Sequence, residues 1–269
     1  MGPDKDELPV GTLGELIGFS VQMQRVYSAI HKVSPYPYAV LIRGERGTGK
    51  ASAARSIHSL SQRRNKPFIS LDCSTLAPTL FEPELFGYAK GAFAGASQTK
   101  WGLLALAGEG TLFMGEIAEL PLKVQARLLR TLEAGVFNPI GSPSDLPFKA
   151  RIIAASCRDL QSQVKAGTFR EDLYLRLNVM QIDLPPVRER KNDIPLLVDS
   201  FIDKYRDSES EIEFSLAAMS YLLAYDWPGN VRELEDAVRH AISAACGPIV
   251  GVEDLNLVEG FGFQLLFGG

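Results

Sequence analysis

A chain of 269 residues, 46% hydrophobic and 22% charged, can bury a full core as one large domain or two smaller ones. No apolar run approaches the roughly 18 residues of a membrane span, and the acidic opening MGPDKDELPV lacks the order of a secretory signal, so a cytoplasmic, non-membrane protein is the expectation. A net charge of -4 and a pI near 5.5 exclude a broad basic face for non-specific nucleic-acid binding; the short basic runs QRRNK (62–66) and RERK (188–191) read as ordinary solvated surface.

Residues 1–16 read as a tail, followed by an α/β unit over 17–184. Its first strand-like run, 39–43 (AVLIR), leads into the loop GERGTGKA at 44–51 and a helix-compatible stretch over 50–60. That is the setting a phosphate cradle requires. Gly44, Gly47 and Gly49 let backbone N–H groups turn toward phosphate oxygens, Lys50 brings a point charge, and the new helix presents its positive end. Glu45, Arg46, Thr48 and Ala51 complete the loop as candidate nucleotide contacts, although Ala51 stands where the pattern wants a magnesium-holding hydroxyl. The flanking strand and helix disfavour the alternative, a glycine-rich turn with an exposed lysine.

Further strand-like runs at 67–71, 110–114, 149–155 and 178–184 are continuous rather than alternating, which predicts a parallel sheet sandwiched by helices. Phe68, Ile69, Leu112, Phe113, Ile152 and Ile153 are its expected buried residues. The third run ends in Gly115-Glu116, where a phosphate-loop enzyme carries an acidic pair. The first carboxylate holds the magnesium shell and the second orients the attacking water. Glu116 is the candidate base; the metal-side carboxylate is missing. With Ala51 that makes two absent supports, so magnesium binding should be weakened, with hydrolysis impaired and nucleotide binding intact.

After Pro185-Pro186 the apolar residues Ile194, Leu197, Val198, Phe201, Ile202 and Tyr205 fall at helical spacing, predicting a separate all-α unit over 185–258 with no further strand. The apolar, glycine-rich 259–269 is an unplaced tail. Cys73, Cys157 and Cys246 are an odd number with no C-x-x-C spacing, and His31, His58 and His240 are scattered; all six read as packing or surface residues, and no metal site is expected.

FGYAKGAFAGA (86–96), GTLFMGEIAEL (110–120), GTFREDLYLRLNV (167–179), LPPVRERKNDI (184–194) and WPGNVREL (227–234) together resemble the central AAA+ domain of bacterial enhancer-binding proteins, the activators of sigma-54 RNA polymerase. The resemblance runs from about 17 to 258. It implies an AAA+ P-loop fold with a small helical lid, ATP as the ligand, and a ring oligomer, usually a hexamer, acting on RNA polymerase and its sigma factor. Family members also carry a sensory domain and a DNA-binding domain, so DNA contact is expected only through a domain outside these residues. By resemblance, Glu116 is the catalytic glutamate, Arg170 and Arg176 serve the neighbouring subunit's nucleotide, Arg232 is the lid arginine, and Phe93 is the tip of the sigma-contact loop. Taken alone, each arginine also reads as a surface ion pair. Ala94 replaces the loop's usual Thr, Asp72 an Asn that restrains the glutamate, Cys157 a sensor Asn, and Ala51 a Glu. Two functions stay open: a nucleotide-binding module, for ATP or another purine nucleotide such as a cyclic dinucleotide, that switches oligomerisation, and an active remodelling ATPase.

Overall fold

Ser20 opens the first helix by accepting the Met23 N–H on its hydroxyl, so α1 (Val21–Val33) starts where the apolar positions 23, 26, 27, 30 and 33 begin to line one face. The structure, a computed structural model, describes residues 11–206, 212–245 and 247–255. Five strands, β1 (Val40–Arg43), β2 (Phe68–Asp72), β3 (Thr111–Gly115), β4 (Arg151–Ser156) and β5 (Met180–Asp183), form one parallel sheet in the order β5-β1-β4-β3-β2. Every strand-like run of the sequence is therefore a strand of this sheet.

One face of the sheet packs Val40, Ile42 and Ile153 against α1 and against α2 (Lys50–Ser59) through Met23, Ile30, Ala53 and Ile57. The other packs Leu112, Met114, Ile152 and Ala154 against α3 (Leu122–Ala134) and α4 (Glu171–Leu177) through Leu128, Leu129, Leu173 and Leu177. β3 and β4 are buried throughout, but the edge strand β2 is not. Phe68 and Ile69 are only half-buried, contrary to expectation, because β2 has one neighbour; the Phe68 ring is covered instead by His58 at 5.3 Å and by the Arg55 guanidinium at 5.0 Å.

The lid carries its own core. Val187, Val198, Phe201, Leu222, Trp227, Leu234 and Val238 come together from α5 (Ile194–Tyr205), α6 (Leu216–Ala224), α7 (Asn230–Ala244) and the turn before α5. It also holds a short parallel strand pair, Glu213–Phe214 with Ile249–Val250, which helical spacing had not suggested. Residues 12–17, mostly read as tail, pair as a hairpin that buries Leu13 and Leu16. Asp193 then ties this segment to the lid, its buried carboxylate accepting from Phe19 N–H, Ser20 N–H and the Ser20 hydroxyl at 2.6–2.8 Å. Cys246 and the stretch 259–269 lie outside the described residues.

The basic runs are largely exposed, as expected of solvated surface, with Arg64, Lys66 and Arg188 open to solvent, but each also makes contacts that hold the fold. Arg63 donates to the carbonyls of Glu109, Gly110 and Lys149, Arg188 pairs with Glu45, and Arg190 is buried beside the Ile17 carbonyl. Arg151, also buried, caps the carboxyl end of α1 by donating to Val33, Ser34 and Tyr38 carbonyls at 2.8–3.0 Å.

Candidate functional site

The glycine loop begins at the carboxyl end of β1, and α2 starts at Lys50 with Gly49 as its N-cap in the left-handed region (φ 98). Gly47 is also left-handed (φ 77), and a Cβ there would strike the Gly229 carbonyl of the lid. The loop is thus pressed backbone to backbone against the segment that opens α7, and Val231 N–H donates to the Gly47 carbonyl at 3.0 Å.

Lys50 is buried beneath the loop. Its Nζ donates to the Gly44 and Glu45 carbonyls at 2.9 and 3.0 Å and pairs with Glu116 Oε1 at 2.9 Å. The second carboxylate oxygen of Glu116 accepts from Cys157 N–H at 2.9 Å. Burial alone would raise the Glu116 pKa, but the contacts with Cys157 and Lys50 together outweigh it and leave it below its ordinary value. Burial and the adjacent Glu116 push the Cys157 thiol upward. Glu116 itself is left-handed (φ 50), an uncommon conformation for a non-glycine residue and one that aims its side chain back across the sheet end.

Arg46 is exposed at the crown of the loop, and its side chain reaches Cys157, with the charges of Glu116 and Glu119 nearby. Glu45, by contrast, turns away from the loop's inner side. Its carboxylate receives both Arg188 amino groups at 2.6 and 2.8 Å and Asn230 Nδ2 at 3.1 Å, and the Arg188 contact first, then Asn230, lowers its pKa to about 2. The structure therefore gives the Glu45 carboxylate to the lid rather than to a nucleotide. Asn230, fully buried, also donates to the Arg46 carbonyl at 2.9 Å and accepts from Val187 N–H at 2.9 Å. Arg232 is exposed on the same side, its Cβ packed near Gly47.

The donor set does not fit a protein-held magnesium ion. Ala51 and Gly115 offer no side-chain oxygen, the Thr48 hydroxyl donates to the Glu45 carbonyl at 2.9 Å, and both Glu116 oxygens are engaged. Asp72 faces elsewhere: its carboxylate accepts from Ser74 N–H and Ser74 hydroxyl, capping the turn Cys73–Thr75. Lys50 and Cys157, not residue 72, hold the glutamate.

The structure thus gathers residues 44–51, Glu116 and Arg232 at one sheet end. Arg170 and Arg176 are elsewhere on the surface. Arg170 forms a two-bond pair with Asp172, and Arg176 donates to the Leu132 carbonyl at the end of α3. Phe93 is 44% exposed at the tip of the loop between the paired strands Gly87–Tyr88 and Lys100–Trp101, its ring edge-on to Tyr88 at 4.9 Å. Ala94 beside it is exposed, so the missing hydroxyl orphans no buried partner within this chain.

Sequence reasoning missed Asn230, Arg188 and the Cys157 amide as members of the site. The W-P-G-N turn held a partial signal, since Asn is enriched at left-handed positions and Asn230 occupies one (φ 57).

The Sigma-54 interaction domain family matches residues 16–183, and the AAA+ ATPase lid domain family matches residues 188–258. The regulatory protein AtoC of Escherichia coli is 45% identical over 244 residues, 90% of this chain and 53% of its own length. The transcriptional regulatory protein ZraR of Salmonella typhimurium is 41% identical over 255 residues, 93% of this chain and 58% of its own. Among solved structures, NtrX from Brucella abortus in complex with ATP has a TM-score of 0.83 at 32% identity, covering 90% of this chain and 54% of that one. The chain spans somewhat more than half the length of these relatives. Two adjoining family matches, in the order of the two units seen in the fold, establish that the chain belongs to the sigma-54 interaction domain family of AAA+ proteins.

Proposed function

We propose that this domain binds ATP, or another purine nucleoside triphosphate, on the amides of residues 47–51 and on Lys50, and uses occupancy to switch ring assembly of a cytoplasmic transcription regulator. Hydrolysis is impaired. The observation that carries this reading is the Lys50–Glu116 pair at 2.9 Å beneath an intact glycine loop whose metal-side positions, 51 and 115, hold no side-chain donor. The structure of NtrX with ATP, at 32% identity, supports the ligand class. An incoming phosphate competes with Glu116 for Lys50. Drawing the ammonium to the phosphate releases one carboxylate oxygen toward a water, while the Cys157 amide retains the other.

Arg170 and Arg176, both exposed, are the proposed contributions to a neighbour's nucleotide in a ring of the family's usual size, a hexamer, and Arg232 is the proposed lid contact to the terminal phosphate. Phe93 is the proposed tip contact with RNA polymerase through its sigma factor, and DNA is reached through a domain outside these residues. The second reading, an active remodelling ATPase, is favoured by Glu116 being retained and fixed by two contacts. Calorimetry with ATP and a phosphate-release assay at high protein concentration separate the two. Binding without sustained release supports the switch; sustained release abolished in Lys50→Ala supports the ATPase; and no affinity for any purine nucleotide overturns both.

A further inference from the structure

The chemistry missing from positions 51 and 115 is matched by a cation that the phosphate-loop pattern does not require. Arg46 sits at the crown of the loop, its carbonyl anchored by Asn230 Nδ2 at 2.9 Å and its side chain exposed toward Cys157, on the Glu116 side of the site. Two of the neighbouring cations already have carboxylate partners. Arg188 is held by Glu45 at 2.6 Å and Lys50 by Glu116 at 2.9 Å, whereas among the described residues Arg46 forms no ion pair with a carboxylate. Its guanidinium is a planar fork suited to two phosphate oxygens at once, and it keeps its charge at any working pH.

Resting on the nucleotide-binding reading above, we propose that Arg46 takes the place of the divalent cation, so that this domain accepts a purine nucleoside triphosphate in its metal-free form. The charge balance agrees. A divalent ion held by one aspartate adds a net charge of about one to the site, and a lone guanidinium opposite a glycine adds about the same. The donor geometry agrees as well, since neither residue 51 nor residue 115 can hold an ion and Asp72 is turned to Ser74. Lys50, Arg46 and Arg232 then surround the phosphates from the floor, the crown and the lid.

The test is nucleotide affinity of the full chain, measured by calorimetry with ATP in EDTA and again in excess magnesium. Wild-type affinity should differ by less than about threefold between the two buffers. Arg46→Ser, an exposed position whose loss leaves the packing untouched, should weaken binding in EDTA by about 10- to 100-fold, the effect of one charged hydrogen-bonding group, with Arg46→Lys recovering part of it. Adding Gly115→Asp to Arg46→Ser should restore affinity in magnesium and not in EDTA. Magnesium tightening the wild type by tenfold or more, or Arg46→Ser leaving the EDTA affinity unchanged, overturns this proposal while leaving nucleotide binding itself standing. Absence of binding in both buffers overturns both.

Discussion

Asn230 joins the lid to the phosphate loop, and its removal has a cost that can be worked out group by group. Replacing it with Ala strips the buried Val187 N–H of its acceptor and the Arg46 carbonyl and Glu45 carboxylate of a donor. A buried group left unpaired costs about 1–3 kcal/mol; the Val187 amide incurs this in full, while the carbonyl, nearer the surface, recovers part from water, giving about 2–4 kcal/mol together. Asn230 is also left-handed at φ 57, where Ala adds about 1–2 kcal/mol of strain and Gly adds none. Asn230→Gly should therefore lose about 2–4 kcal/mol of lid stability, and Asn230→Ala about 1–2 kcal/mol more. Urea unfolding followed by the emission of the buried Trp227 in the same core reads both values. If the two variants unfold at the same denaturant concentration, the backbone-strain argument is refuted. If both lie within 1 kcal/mol of wild type, the buried-network argument falls too.

The acid limb of stability should depend on Glu45. Its folded pKa of about 2 lies below its ordinary 4.5, so its contribution is present above pH 4.5 and is lost as pH falls toward 2; Glu45→Gln should flatten the stability profile in that window, as read by urea midpoints at each pH. Gly115→Ala should fold normally and gain about 0.5–1 kcal/mol, because a Cβ there meets its nearest atoms at 3.6–3.7 Å and the strand no longer carries a glycine; a loss of stability in denaturant melts would show that the site needs the bare backbone. Arg151→Met should cost about 2–4 kcal/mol, since two carbonyls at the end of α1 and that of Tyr38 before β1 lose their donor while burial of the charge, which lowers the Arg151 pKa to about 10, is relieved; thermal unfolding measures the balance.

The sheet was legible because its inner strands are apolar on both faces, and a run such as 151–156 cannot be placed anywhere else. The edge strand misled for the same reason: a continuous apolar run does not say how many neighbours it will have, and Phe68 ended half-covered by Arg55 and His58. The loop could be read from spacing alone, since glycine and lysine act there through local backbone geometry. What spacing could not show is where a charged side chain finds its partner. Glu45 and Arg188 are separated by 143 residues, and only folding decides that the loop's carboxylate serves the lid. Asp72, singled out only as a departure from an Asn, bonds locally to Ser74, because a short carboxylate beside a free N–H two residues on is satisfied there before it reaches across strands.

The contact between Gly47 and Gly229 gives the lid mechanical leverage. Backbone meets backbone at that junction, so a small shift of the loop would pass directly into the start of α7. That helix runs for 15 residues, about 22 Å, and a tilt of about five degrees at its near end displaces its far end by about 2 Å. A change at the loop too small to disturb the sheet would thereby be enlarged at the far end of the helix.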